Sequence, residues 1–221
     1  MLLFKENILK KITLMAISSL LIVFFSGCAS SSLNYTPPKQ LIKNEIVTNK
    51  IIYKDYEKAW NELINNLVDN SFIINNLDKE SGFINVDYTL NDPINYVDCG
   101  EWQGYFKDLK YDEKYQFNGA ESTNYITKYA YSIAKVKSNK NLSGKINILL
   151  QKLDDKKQNL KVNIKYVLQN KNVYNVLFPK KKKSINWKIE FDSKNKGYSK
   201  ISKTQCQSKG VLEKEILNYI K

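Results

Sequence analysis

Three cysteines, Cys28, Cys99 and Cys206, are the most nucleophilic side chains in the sequence, and no histidine accompanies them. The lack of histidine excludes histidine-based triads, imidazole metal ligands and imidazole proton shuttles. Carboxylate chemistry stays open. No two cysteines stand at C-x-x-C spacing, so nothing in the pattern supports redox catalysis. The densest polar and aromatic group is Asp98-Cys99-Gly100-Glu101-Trp102, with Tyr105 just beyond it. Asp98, Glu101, Trp102 and Tyr105 form a candidate binding loop, with Trp102 as a stacking platform and the carboxylates as polar handles. Two carboxylates beside an aromatic ring also suit sugar hydrolysis. The competing reading is a loop held by its cysteine and packed by its own aromatics. Neither a cofactor nor a metal ion is expected.

The residues around Cys28 carry a different chemistry. Lys5, Lys10 and Lys11 precede an apolar run, residues 12–25, broken only by Thr13, Ser18 and Ser19. A helix crossing about 30 Å of hydrocarbon needs roughly 20 apolar residues, so this run is short for a permanent span. A basic start, an apolar middle and small residues at the end are the parts of a secretory signal. Phe25-Ser26-Gly27-Cys28 resembles the bacterial lipobox, usually Leu, then Ala or Ser, then Gly or Ala, then Cys. Ser26, Gly27 and Cys28 match, and Phe25 stands where Leu is usual. The resemblance implies cleavage between Gly27 and Cys28, a diacylglycerol (palmitate-type chains) on the Cys28 sulfur and acylation of its new amino group. A plain signal or an uncleaved anchor is the alternative. Each buried CH₂ of an acyl chain contributes about 0.8 kcal/mol, and two or three chains give a stable anchor. Ala29, in place of an aspartate, resembles an outer-membrane address under Gram-negative sorting rules.

Cys28 thus modified leaves Cys99 and Cys206 as an even pair in an exported chain, which reads as a disulfide. Two free thiols or a redox role are the alternatives. The bridge would close a loop of about 100 residues, contributing about 4.7 kcal/mol in the chain-entropy model.

These groups need a scaffold. Without residues 1–27 the chain is long enough for one domain with a real core. The formal charge of the full chain is +13, which favours acidic partners such as anionic headgroups. Lys, Asn and Ile abound along the whole chain, and that general bias accounts for much of the charge. An exported location argues against nucleic acid. Residues 28–44, with Ser30, Ser31 and Ser32 and the Pro37-Pro38 pair, read as the lipidated cysteine and a flexible tether. Extended, it could hold the domain up to about 55 Å from the lipid.

Residues 45–53 suit a first strand. Ala59, Trp60, Leu63, Ile64, Leu67 and Val68 recur at helical spacing, predicting a helix over 56–69 with Asp55 as N-cap and Asn70 in a left-handed stop. Residues 71–77 and 82–90 read as a hairpin. The pattern is lost over 91–121, an irregular aromatic insertion that is either functional or wrongly assigned. Extended segments follow at 124–137, 144–153, 160–169, 185–191 and 198–206, with a polar turn at 154–158. Trp60 and Trp187 fall on apolar periodicities and are expected in the core. Lys180 to Lys183 read as a solvated hairpin tip, with headgroup contact as the alternative. Leu212, Ile216, Tyr219 and Ile220 give a closing helix a core face, with Glu213 and Glu215 in its first turn, where the dipole favours anions. The sum is an α+β fold: an antiparallel sheet with two helices packed on one face, in a single domain over 45–221.

The stretch 53–88 resembles a unit in lipoproteins of the BamC (NlpB) type, in which an Ala-Trp helix leads into a strand, an acidic turn with Gly and a second strand. Ala59-Trp60, Phe72-Ile73-Ile74, Asp78 and Gly82 stand at matching places. The resemblance covers about 36 residues and one domain where that family has two. It implies a helix-grip-like fold, a curved antiparallel sheet wrapped around a helix, and an accessory role in outer-membrane barrel assembly.

The expected function is therefore a non-enzymatic, lipid-anchored envelope protein that binds or scaffolds partners. Its expected place is the outer membrane, facing the periplasm. Its partners would be the membrane, through the N-terminal lipid, and an envelope protein. The alternatives are a glycan-acting envelope enzyme using acids of the 91–121 insertion, and a secretion-apparatus or surface lipoprotein.

Overall fold

A computed structural model describes residues 30–39 and 46–221. The leader, Gly27 and Cys28 lie outside the described residues.

Two strands organise the fold: β9 (Ser132–Asp154) and β10 (Lys157–Val176), a hairpin turning at Asp155 and Lys156. Even-numbered residues of both face inward, among them Val136, Leu142, Ile146, Ile148, Leu160, Ile164 and Leu168, all buried. That alternation is the period of two that a half-covered strand requires. Each strand of the hairpin carries two neighbours on its outer edge. β4 (Phe83–Leu90) pairs with one half of β9 and β8 (Thr123–Tyr129) with the other. β2 (Asn49–Ile52) and β11 (Lys181–Asp192) divide β10 in the same way. β3 (Ile73–Asp78) completes the hairpin with β4. All of these pairings are antiparallel.

The predicted helix over 56–69 is present as α1 (Tyr56–Asp69), burying Ala59, Trp60, Leu63 and Leu67. Its stop differs from expectation. Asn70 keeps φ −91°, and Ser71 takes the left-handed turn at φ 62°. Ser71 N–H donates to the Val68 carbonyl and Phe72 N–H to Leu67, a Schellman ending. The closing helix, α2 (Val211–Leu217), buries Leu212, Ile216 and Leu217. Lys50 donates to the Leu217 and Ile220 carbonyls at 3.1 and 3.0 Å, and Asn66 of α1 donates to Tyr219 at 3.0 Å. Both helices and the inner face of β4, β9 and β10 share one apolar core, so the chain is α+β, dominated by antiparallel sheet.

Four expectations are corrected. The tether does not extend to residue 44, because Ser30–Thr36 is a strand, β1, paired along its whole length with β6 (Glu101–Lys107). Its partner is some 70 positions away, so nothing local in Ser30 to Thr36 marks it. The domain consequently includes residues before 45. The 91–121 insertion is not irregular: β5 (Val97–Asp98), β6 and β7 (Asp112–Asn118) follow a short 3₁₀ turn at Pro93–Asn95. With β1 at the edge, β6 and β7 make a small separate sheet. The segment 124–137 holds a turn at Ala130 and Tyr131, between β8 and β9. The segment 198–206 is likewise two strands, β12 (Gly197–Ser199) and β13 (Thr204–Ser208). Glu213 stands in the first turn of α2, as expected. It is fully buried, with Tyr166 Oη donating to it at 2.9 Å and Ser208 Oγ at 3.1 Å.

Candidate functional site

The inward register of β9 and β10 is apolar beside the helices, then changes character. On β9 it runs Leu142, Lys140, Ser138; on β10, Leu168, Asn170, Asn172, Tyr174. A buried lysine and serine at in-phase core positions are costly unless hydrogen-bonded. Lys140 Nζ donates to the Glu121 carbonyl at 2.6 Å and to Ser138 Oγ at 2.9 Å. The Asn170 amide lies 2.8 Å from Ser138 Oγ and, oriented to satisfy both neighbours, accepts from Trp187 Nε1 at 2.9 Å. The lysine amine also sits 5.9 Å from the centre of the Phe117 ring. Burial pulls its pKa down to about 8, the nearby Glu121 charge opposing the shift.

Over this polar row the small sheet closes a chamber of about 210 Å³. Trp102 of β6 and Phe117 of β7 stand opposite one another in register. Together with Leu33, Tyr125, Tyr174, Trp187, Ile201 and Thr204 they line its walls, and Ser138 and Lys140 supply its polar floor. Phe117 stacks on Tyr125 with ring centres 5.5 Å apart. Burial raises the Tyr125 pKa, with Tyr174 as its nearest titratable neighbour, so the phenol stays protonated.

The Cys99–Cys206 disulfide holds this cover in place, joining the segment before β6 to β13. Both cysteines are fully buried. Tyr35, from β1, locks the same junction. Its hydroxyl lies 3.1 Å from the Cys99 carbonyl and 3.0 Å from that of Gln205, and it accepts from Gln205 N–H at 2.8 Å. Its ring rests 4.8 Å from Trp102. Gly100 has φ +70°, and a Cβ there would come within 2.3 Å of the Thr36 carbonyl, so only glycine lets β1 pass this close.

The candidate binding loop does not converge. Trp102 faces the chamber, whereas Glu101 and Tyr105, in the opposite register of β6, face away from it. Asp98 is used locally, its Oδ1 accepting from Gly100 N–H at 2.9 Å. Three other acids of the segment are also engaged nearby. Asp108 accepts from Lys110 and Tyr111 N–H, Asp112 pairs with Lys107 at 2.9 Å, and Glu101 accepts from Asn118 at 3.3 Å. Trp187 is half-buried at the chamber wall instead of deep in the core, while Trp60 is a core residue. Among the described residues no group of three or more His, Cys, Asp or Glu is placed to hold a metal ion, and no helix is long and apolar enough to cross a membrane.

Sequence reasoning missed Tyr35, Lys140, Ser138 and Asn170. For Lys140 and Ser138 a signal existed: carrying the even register of Ile146 and Ile148 back along the strand places both on the buried face. For Tyr35 there was none. No protein-family model, no curated protein and no solved structure matches this chain.

Proposed function

We propose that the chain is a lipid-anchored, non-enzymatic protein of the bacterial envelope, exported by its leader and moored through Cys28. The observation that carries this reading is the cysteine count. Cys99 and Cys206 are joined and buried, which supports an oxidising, exported location and leaves Cys28 as the one cysteine outside the bridge. The outer membrane, with the domain in the periplasm, is its proposed place. The chamber is its proposed contact with an envelope protein partner. At about 210 Å³ it is below the usual 300–1,000 Å³ of small-molecule pockets and suits one ring-bearing side chain of a partner, stacked on Trp102 or Phe117. Local engagement of Asp98, Glu101, Asp108 and Asp112 supports a binding role over glycan hydrolysis. A helix-grip-like wrap and kinship with BamC-type lipoproteins fit the shared core of sheet and helices.

Intact-mass measurement of the protein extracted from membranes tests the anchor. A mass matching residues 28–221 plus two or three acyl chains is expected, with the increment lost in Cys28→Ala. An unmodified cysteine on an intact leader would defeat the reading. Trp102→Ala is expected to abolish partner capture from envelope extracts while the fold persists.

A further inference from the structure

We propose that one end of the molecule is a docking surface for an anionic lipid bilayer, its apolar turns entering the headgroup layer and its lysines meeting lipid phosphates. Three turns meet at that end, each presenting a large apolar side chain to solvent. Leu109, between β6 and β7, is 95% exposed; Tyr131, between β8 and β9, 106%; Phe178, between β10 and β11, 83%. They are neighbours. Phe178 N–H donates to Ser132 Oγ at 3.1 Å, Leu177 N–H donates to the Ile133 carbonyl at 2.9 Å, and Lys135 Nζ sits 5.5 Å from the Tyr111 ring centre. Isolated exposed apolar residues are ordinary. Three on adjacent turn tips are a patch.

Around Tyr131 and Phe178 the charge is of one sign, whereas the Leu109 turn sets Asp108, Asp112 and Glu113 among Lys107, Lys110 and Lys114. Residues 123–137 and 171–184, which form the two larger turns and their strands, contain Lys128, Lys135, Lys137, Lys171 and Lys180 to Lys183, with no Asp or Glu. Among the described residues none of Lys180, Lys181, Lys182 and Lys183 forms a salt bridge. At the opposite end every turn mixes signs, with Asp78, Glu80, Asp154 and Asp155 among lysines of which Lys79 pairs with Glu57 and Lys152 with Asp155 at 3.0 Å. Projecting tips with an unpaired basic surround suit a soft, anionic, apolar-cored surface better than a rigid protein groove.

The path of the chain points the same way. Ser30 opposes Lys107 at the base of the β6–β7 turn, and Ser31 Oγ accepts from Lys128 N–H at 3.5 Å, so β1 begins at this end. Cys28 is two residues earlier, within about 7 Å of extended chain. This last argument rests on the lipid-anchor reading; the tips and their charge do not. Acyl chains on Cys28 would hold these turns against the bilayer with no slack, in place of a domain swinging on a long tether.

The test uses the full-length protein reconstituted into phosphatidylglycerol–phosphatidylcholine vesicles. A photoreactive phenylalanine replaces Leu109, Tyr131 or Phe178 in turn, with Lys156 at the far end as control. Phospholipid adducts are expected at all three tips, at least about tenfold above position 156. They should fall at least about fivefold when Lys180, Lys181, Lys182 and Lys183 are all replaced by Gln or when phosphatidylcholine alone is used. Tip yields equal to the control, or adducts to protein instead of lipid, overturn the proposal. The mass of Cys28 in the same samples separates the two readings. Lipidated Cys28 with silent tips rejects the docking surface alone; unmodified Cys28 with labelled tips rejects the anchor alone.

Discussion

Lys140 is 8% exposed and its amine has a pKa of about 8, against 10.5 for a free lysine. Between those two values the unfolded chain holds more protons than the folded one, so stability rises as pH climbs through that window. Buried tyrosines act oppositely: burial raises Tyr125, Tyr166 and Tyr88, so their contribution is full below about pH 10 and is lost above it. The clean interval is therefore pH 7.5 to 9.5. Over it, the native protein should gain about 2 kcal/mol relative to Lys140→Met in urea unfolding. A constant difference would mean that the amine is not desolvated. Glu213 carries the second residue-scale prediction. It was legible as a first-turn acid, but its burial was not, because the hydroxyls that accept it into the core belong to Tyr166 and Ser208. Tyr166→Phe removes a bond to a buried carboxylate and should cost about 2 kcal/mol, read from the denaturation midpoint at unchanged slope.

At the scale of elements, the main sheet depends on one missing side chain. Tyr88, Gly144, Tyr166 and Phe191 lie in register across β4, β9, β10 and β11. Tyr166 stacks on Phe191 at 5.1 Å and meets Tyr88 edge-on at 6.1 Å. The Tyr88 hydroxyl crosses β9 to donate to the Lys165 carbonyl at 3.2 Å, and a Cβ on Gly144 would come within 1.8 Å of that same oxygen. Gly144→Val should therefore cost more than about 2 kcal/mol and broaden amide resonances of β4 and β10 around the row. A neutral outcome would show that the strands can part there. The helix over 56–69, the 73–90 hairpin and the strand around Trp187 were legible because each announces itself by its own apolar period. The 91–121 segment was not. Its strands bury one face against β8 and leave the other open, and Gly104, under the Tyr115 ring, interrupts the alternation that would have marked β6.

At the scale of the whole molecule, the disulfide closes a separation of 107 residues. Replacing both Cys99 and Cys206 by Ala should cost about 4 kcal/mol by the chain-entropy argument. The loss should be uneven. Amides of β5, β6 and β13 should exchange much faster, while those in the centre of β9 and β10 keep their protection, because the bridge holds the cover and the shared helix–sheet core holds the rest. Uniform loss of protection would mean that cover and core unfold as one unit. The sequence alone determined what depends on near neighbours, namely the α1 helix and its buried face, the strand alternations and the closing helix, and its count of three cysteines pointed to the pairing of Cys99 with Cys206 once Cys28 is set aside. Tertiary structure alone decided that residues 30–36 are a strand and no tether, that Glu213 is buried, and that Trp102 and Trp187 face one chamber. The reason is physical. Periodicity is written within a few residues, but an edge strand chooses its partner, and a polar side chain its burial, through contacts as distant as the 170 positions between Tyr35 and Gln205, which no local pattern encodes.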